Sequence, residues 1–374
     1  MEVKFNDVAS QWEVIKKDCL PKISSFLESG RYIGHESIEE FENNFADYIG
    51  CKHAVAVSNG TDALKLSLDA LELKGTTCVA IPANTFISNA FAASYFGYDL
   101  KLIDCNDFYG MKTADLHAWF AGRREEYDNV VVVPVHLYGY PSQMERIISL
   151  CKLYDAYVIE DCSQAHGAMI RLGKVGNFGD FGVFSCYAGK NLGAAGEGGV
   201  ITTSDEKLSI KLKNLRDLGS PEKYIHSKLG WNNRPQAIQC IILNEKLKYL
   251  DEWNSYRSYA AEIYNKLLKD TPVVTPTEPK WAVVSSFHLY VIRTEKRQEL
   301  QNFLSTKGIQ TGIHYPIPIG EAEYYKASNL VTKAHINTPV WKDQLLSLPM
   351  HPFLEDEEIH YVCRNIKEFF NDSE

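Results

Sequence analysis

The stretch VVVVPVHLYGYPSQMERIISLCKLYDAYVIED, residues 130–161, decides the fold. It opens on VVVVPVH (130–136), an almost unbroken apolar run, and closes on AYVIED (156–161), a second run ending in two acids. Short apolar runs rich in valine and isoleucine read as strands. Between them, SQMERIISLCKLYD (142–155) places its apolar residues on one face of a helix. The same alternation continues outward on both sides. CKHAVAVS (51–58), CVAIP (78–82) and LKLID (100–104) read as strands, with helices over TDALKLSLDAL (61–71) and SNAFAASYF (88–96). FGVFSC (181–186) and GGVITT (198–203) are strands around a glycine-rich turn. Strand and helix in alternation predict a mostly parallel sheet with helices on both faces.

After Cys240 the pattern changes. Residues 237–268 read as one long or broken helix, able to connect two domains. Beyond it, SSFHLYVIR (285–293) alternates like a half-buried strand, KRQELQNFLSTKG (296–308) is a helix with a glycine stop, and LEDEEIHYVCRNIKEFF (354–370) is a final amphipathic helix. The expected division is a large domain over 1–248 and a small α/β domain over 249–374. A chain of 374 residues is long for one core and comfortable for two such domains.

Composition narrows the function. The chain is 45% apolar and 23% charged, with a net charge of -9. A mildly acidic surface repels polyanions, so nucleic acid is a poor partner. An anionic ligand would need a local positive site. No apolar run reaches the length of a membrane span, and MEVKFNDVAS at the start has no secretion pattern. Nine cysteines stand singly with no CxxC, which fits reduced thiols and no metal site of that type. The expected location is the cytoplasm.

Three segments could carry chemistry. SNGTDAL (58–64) lies between a strand and a helix, where unpaired backbone N–H groups attract a phosphate and small residues let it approach. Gly60 and Thr61 suit such a cradle, although Ser, Asn, Thr and Asp also favour a plain helix cap. VIEDCSQAHGA (158–168) ends a strand on Glu160 and Asp161, at the sheet edge where open α/β proteins bind ligands. Taken alone, those acids read first as a helix cap or a buried ion pair, and His166 reads first as structural. FSCYAGKNLGAAGEGG (184–199) sets Lys190 before a run of glycines. It is no P-loop: Phe184 stands where the first glycine belongs, and Asn191 where Ser or Thr should follow the lysine. A lysine in a desolvated cleft is easily neutral, and neutral lysine attacks aldehydes. Together, a phosphate cradle near 60, an aromatic at Phe86, an acid–glutamine pair at 161 and 164 and a serine–lysine pair at 185 and 190 form the set a pyridoxal phosphate site requires.

At these motifs the sequence resembles the DegT/DnrJ/EryC1/StrS sugar aminotransferases. The matching stretches include GRYIGHESIEEFENNFADYIG (30–50), SNGTDAL, PANTFISNAFA (82–92), PVHLYGYP (134–141), VIEDCSQAHGA, FSCYAGKNLGAAGEGG, GWNNR (230–234), IHYPIP (313–318) and LSLPMHPFL (346–354). The resemblance implies a fold-type I, aspartate aminotransferase-like architecture and a pyridoxal 5'-phosphate cofactor. It implies that Gly60, Thr61 and Ser185 hold the cofactor phosphate, Phe86 stacks on the ring, Asp161 pairs with the ring N–H, Gln164 bonds the ring hydroxyl oxygen, and Lys190 forms the Schiff base and moves the proton. Asn232 would reach the cofactor phosphate of a neighbouring subunit, which requires a homodimer with shared sites.

The resemblance also implies L-glutamate as donor and carbon 3 of a dTDP-linked 3-keto-6-deoxysugar as acceptor, for a surface polysaccharide such as an O-antigen or another glycosylated product. Tyr187, His314 and Tyr315 are its candidate sugar contacts, with packing as their alternative role. The loop SPEKYIHSK (220–228) could cover a partner's site or be merely solvated. Pro235, Cys186 and the segment GHESIEEFE (34–42) depart from the family pattern, leaving 4-keto and UDP-linked sugars open. A pyridoxal-binding regulator without transferase activity is the rival from another class.

Overall fold

The computed structural model describes residues 1–327, 331–332 and 341–371. Two helices lead, α1 (Val8–Ser29) and α2 (Glu36–Ile49), both closed by left-handed glycines, Gly30 and Gly50. The sheet is then built from β1 (His53–Val57), β2 (Thr77–Pro82), β3 (Asp99–Ile103), β4 (Asn129–Val132) and β5 (Tyr157–Asp161). Between them run α3 (Gly60–Ala70), α4 (Ser88–Ser94), α5 (Thr113–Arg123) and α6 (Met144–Leu153). Two short strands, β6 (Met169–Ile170) and β7 (Gly173–Lys174), precede β8 (Phe181–Ser185) and β9 (Gly199–Thr203). The order across the main sheet is β1-β9-β8-β5-β4-β2-β3, and residues Val331–Thr332 add a strand beside β3. Only β9 runs against its neighbours. The sheet is therefore mostly parallel, as its apolar runs predict, and apolar side chains pack on it from both sides. Fully buried leucines such as Leu66 on α3 each contribute ~1.5–3 kcal/mol.

The structure corrects several boundaries. VVVVPVH is a continuous strand only to Val132; beyond Pro134, which has no N–H to give a ladder, a single bridge joins Val135 to Asp161. Residues 237–268 form two helices, α7 (Glu206–Arg216) being followed by α8 (Ala237–Leu247) and α9 (Leu250–Leu268), with the break at Lys248 and Tyr249. SSFHLYVIR forms a strand only over Tyr290–Arg293, and its first three residues are all buried, not alternating.

The division after residue 248 is a proposal, and many contacts cross it, among them a strand pairing of Ala282–Val284 with β6 and the hydrogen bonds of Asn191 to Asn254 and Ser286. Val3 packs in the C-terminal core and pairs with Ile309, while Ile319 and Tyr325 pack in the core of the main sheet. Among the described residues, no helix is long and apolar enough to cross a membrane.

Candidate active site

The parallel strands β2, β4, β5 and β8 are neighbours, so the loops at their carboxyl ends converge. There lies a cavity of about 880 Å³, large enough for a cofactor and part of a substrate. Gly60, Thr61, Phe86, Asp161, Gln164, Ser185, Tyr187, Lys190, His314 and Tyr315 all line it. Asn232 does not; it is exposed on the outer surface.

The cradle is set by α3. Asn59 caps the helix by accepting the N–H of Asp62 at 2.8 Å. The N–H groups of Gly60 and Thr61 have no partner within the helix and lie at the cavity wall. A Cβ at Gly60 would sit 2.6 Å from Cβ of Ser185, so only glycine lets β8 come this close. Thr61 Oγ1 and Ser88 Oγ are 2.7 Å apart on the same rim. Asp62, which would repel an anion, is paired with Lys65 at 2.6 Å. The cradle has the small residues, free N–H donors and hydroxyls that a phosphate requires.

Asp161 ends β5 and is 4% exposed. Its Oδ1 accepts the N–H of Ser163 at 3.0 Å, and its Oδ2 accepts Nδ2 of Asn89 at 2.7 Å. Glu160, one residue earlier, faces the other way. Its carboxylate accepts backbone N–H groups from Gly176, Phe178 and Gly179. The two acids of the motif therefore have separate roles, and Glu160 is a loop anchor.

Gln164 is held at both ends: Oε1 accepts the N–H of Tyr138 at 2.7 Å, and Nε2 donates to Tyr315 Oη at 2.9 Å. The amide retains a second N–H. Tyr138 adopts φ 60°, the backbone turn that aims this N–H at Gln164. Tyr315 also packs against Phe86, ring centres 5.7 Å apart. Phe86 is 51% exposed, with a ring open to the cavity that it lines.

Lys190 sits in the turn between β8 and β9, its N–H donating to the carbonyl of Tyr187 at 2.8 Å. Burial lowers its pKa to about 8, against the opposing pull of Asp161 and Cys186. Among the described residues, no carboxylate lies within ion-pair distance of its amine. The amine is therefore partly neutral and uncommitted near neutral pH. Burial, reinforced by Lys190, also lowers His314 to about 4, so its imidazole is neutral; Nδ1 lies 2.8 Å from Ser347 Oγ.

His166 is fully buried, outside the cavity lining, and held neutral by burial, with a pKa of about 3. It is structural. Among the described residues, the one compact group of metal-ligand types is His136, Glu160 and Cys162. Ser142 N–H donates to Nδ1 of His136, so Nε2 carries the proton and faces Glu160 at 3.3 Å. That nitrogen has no lone pair for an ion.

Residues given no role in the sequence also line the cavity: Phe5 and Asn6 from the N-terminal segment, His288, and Asn89 from α4, which lies within PANTFISNAFA. Asn6 Nδ2 donates to the carbonyl of Gly189 at 3.1 Å, tying the N-terminus to the peptide before Lys190. Nothing local gives these residues a role; their partners are distant in sequence.

Comparison with known proteins gives a consistent answer. A model of the DegT/DnrJ/EryC1/StrS aminotransferase family matches residues 13–367. The chain is 33% identical over 373 residues to dTDP-3-amino-3,4,6-trideoxy-alpha-D-glucose transaminase of Streptomyces venezuelae, covering 98% of this chain and 96% of that one. It is 34% identical over 365 residues to UDP-N-acetyl-3-dehydro-alpha-D-glucosamine 3-aminotransferase of Acidithiobacillus ferrooxidans, covering 96% of each. Among solved structures, DesV of S. venezuelae in complex with a ketimine intermediate superposes with a TM-score of 0.92 at 32% identity, covering 98% of both chains.

Proposed function

The chain belongs to the DegT/DnrJ/EryC1/StrS aminotransferase family, and from that premise we propose that it moves an amino group from L-glutamate to carbon 3 of a dTDP-linked 3-keto-6-deoxysugar, with pyridoxal 5'-phosphate as cofactor. One observation carries the reading: a lysine of lowered basicity, a buried carboxylate and a phosphate-sized cradle line a single cavity. The donor set fits the cofactor. Gly60 and Thr61 N–H with the Ser185 hydroxyl would hold its phosphate. Phe86 would cover the ring, Asp161 would accept the ring N–H, and the spare N–H of Gln164 would reach the ring hydroxyl oxygen. When bound, pyridoxal phosphate supplies an electrophilic aldehyde and an electron-accepting ring.

The protein's own groups do the rest. The neutral amine of Lys190 is the nucleophile toward the aldehyde, and when free it carries a proton on Nζ between donor and cofactor carbons. Asp161 holds a proton at the ring nitrogen. Tyr187, His314 and Tyr315 line the same cavity and are the side chains proposed to meet the sugar.

The lowered basicity of Lys190 gives a pH prediction. Only the neutral amine attacks an aldehyde, so the rate at which apo-protein captures the cofactor should climb as pH rises through about 8 and level off above it. Stopped-flow absorbance from pH 6.5 to 9.5 measures this. A profile that keeps climbing toward the ordinary lysine range would contradict a desolvated Lys190.

Asn232 is read as reaching a second copy's phosphate. Asn233 carbonyl accepts the N–H of Ser58 at 3.1 Å, and Trp231 Nε1 donates to Asp69 at 2.7 Å, so the segment is pinned beside its own cradle while Asn232 faces outward. Nearby, Tyr224 and Leu229 are 83% and 95% exposed, apolar surface suited to burial against a second copy. A lost hydrogen bond to a charged group costs ~1.5–3 kcal/mol, so Asn232→Ala should weaken cofactor binding ~10–100-fold. Mixing it with Lys190→Ala should restore turnover above either alone, since a hybrid dimer has one intact site. No restoration after subunit exchange would remove the shared-site dimer.

Substrate identity is tested with nucleotide-linked 3-keto and 4-keto sugars and L-glutamate, products read by mass and NMR. The reading expects a dTDP-linked 3-amino product. Amination only at carbon 4, or only of UDP sugars, overturns it.

A further inference from the structure

We propose that Asn89 is a positioning residue: its side-chain amide fixes the Asp161 carboxylate in the orientation that meets the ring nitrogen of the cofactor. The proposal rests on the reading of Asp161 given above. Asn89 lies in the first turn of α4 and is 2% exposed. Its Nδ2 donates to Asp161 Oδ2 at 2.7 Å and to Thr85 Oγ1 at 3.1 Å. Its Oδ1 is buried with no hydrogen-bond partner. Reversing the amide would set that oxygen against a carboxylate oxygen, so the contacts fix its orientation.

A buried acceptor left unmatched is costly, and an aliphatic side chain of similar volume would avoid the cost. The site therefore uses the N–H groups of this residue, not its bulk. Among the described residues, Asn89 is the only side chain hydrogen-bonded to the Asp161 carboxylate; the other donor is the Ser163 N–H, on the opposite oxygen. One donor on each oxygen fixes the carboxyl plane. Without Asn89, the group can turn about its Cβ–Cγ bond.

The test compares Asn89→Leu, Asn89→Asp and Asp161→Asn as holo-proteins. The readouts are the cofactor dissociation rate and the pH titration of its visible absorption, without turnover. Asn89→Leu should release cofactor at least ~10-fold faster and displace the titration midpoint. Asn89→Asp sets a second carboxyl against Asp161, which stays protonated at neutral pH and donates its O–H in place of the amide. That variant should retain cofactor like the unsubstituted protein at low pH and lose it faster as pH rises, a limb that a packing role would not create. If Asn89→Leu does not fold, Asn89→Asp decides alone. Unchanged release and titration in Asn89→Leu, or pH-independent release in Asn89→Asp, overturns the proposal while Asp161→Asn is impaired. If Asp161→Asn itself is unimpaired, the reading of Asp161 fails and this proposal falls with it.

Discussion

Replacing Lys190 by alanine is expected to cut amino transfer by ~10⁴-fold or more, since it removes the nucleophile and the proton carrier together. No neighbour can substitute. Lys190 is the one lysine lining the cavity among the described residues, and the histidines there are held neutral by burial. The cradle, Asp161 and Gln164 remain, so Lys190→Ala should still take up the cofactor non-covalently. Equilibrium dialysis and single-turnover assays separate the two effects. Lys190→Ala turning over within ~10-fold of the unsubstituted protein would place the chemistry on another group.

Asp161→Asn should have the second-largest effect. Its two carboxylate oxygens each accept a donor, Ser163 N–H on one and Asn89 Nδ2 on the other. An amide offers one acceptor, so either Asn89 or Ser163 is left facing an N–H. The ring N–H also loses its charged partner. Breaking a buried charge pair costs ~3–5 kcal/mol, which corresponds to ~10²–10⁴-fold in cofactor affinity or turnover. Fluorescence titration with cofactor and steady-state rates give both numbers. Near-normal turnover in Asp161→Asn would refute the role of this carboxylate.

The sheet and most of the proposed cofactor set are legible in the sequence because their signals are local. Strands buried on both faces are apolar runs, and strand ends place Asp161 and Ser185 directly. Glu160 and Asp161 are ambiguous in sequence, since adjacent acids cannot be told apart until β5 points them to opposite sides. Asn89 is unreadable as a site residue: its partner lies 72 residues away, and an asparagine in the first turn of a helix has ordinary reasons to be there. Asn6 is further still, meeting the turn of Lys190 across 183 residues. The break between α8 and α9 carries no glycine or proline, so periodicity runs through it unmarked.

The central claim is tested most directly by reducing the holo-protein with borohydride and mapping the modified lysine by mass spectrometry. The account predicts phosphopyridoxyl mass on the peptide containing Lys190 alone. Lys246 is the informative competitor: burial lowers it to about 8 as well, but its amine is bonded to Gln11 Oε1 and the Gly193 carbonyl, away from the cavity lining. Label on Lys246, or on any lysine other than Lys190, would contradict the account.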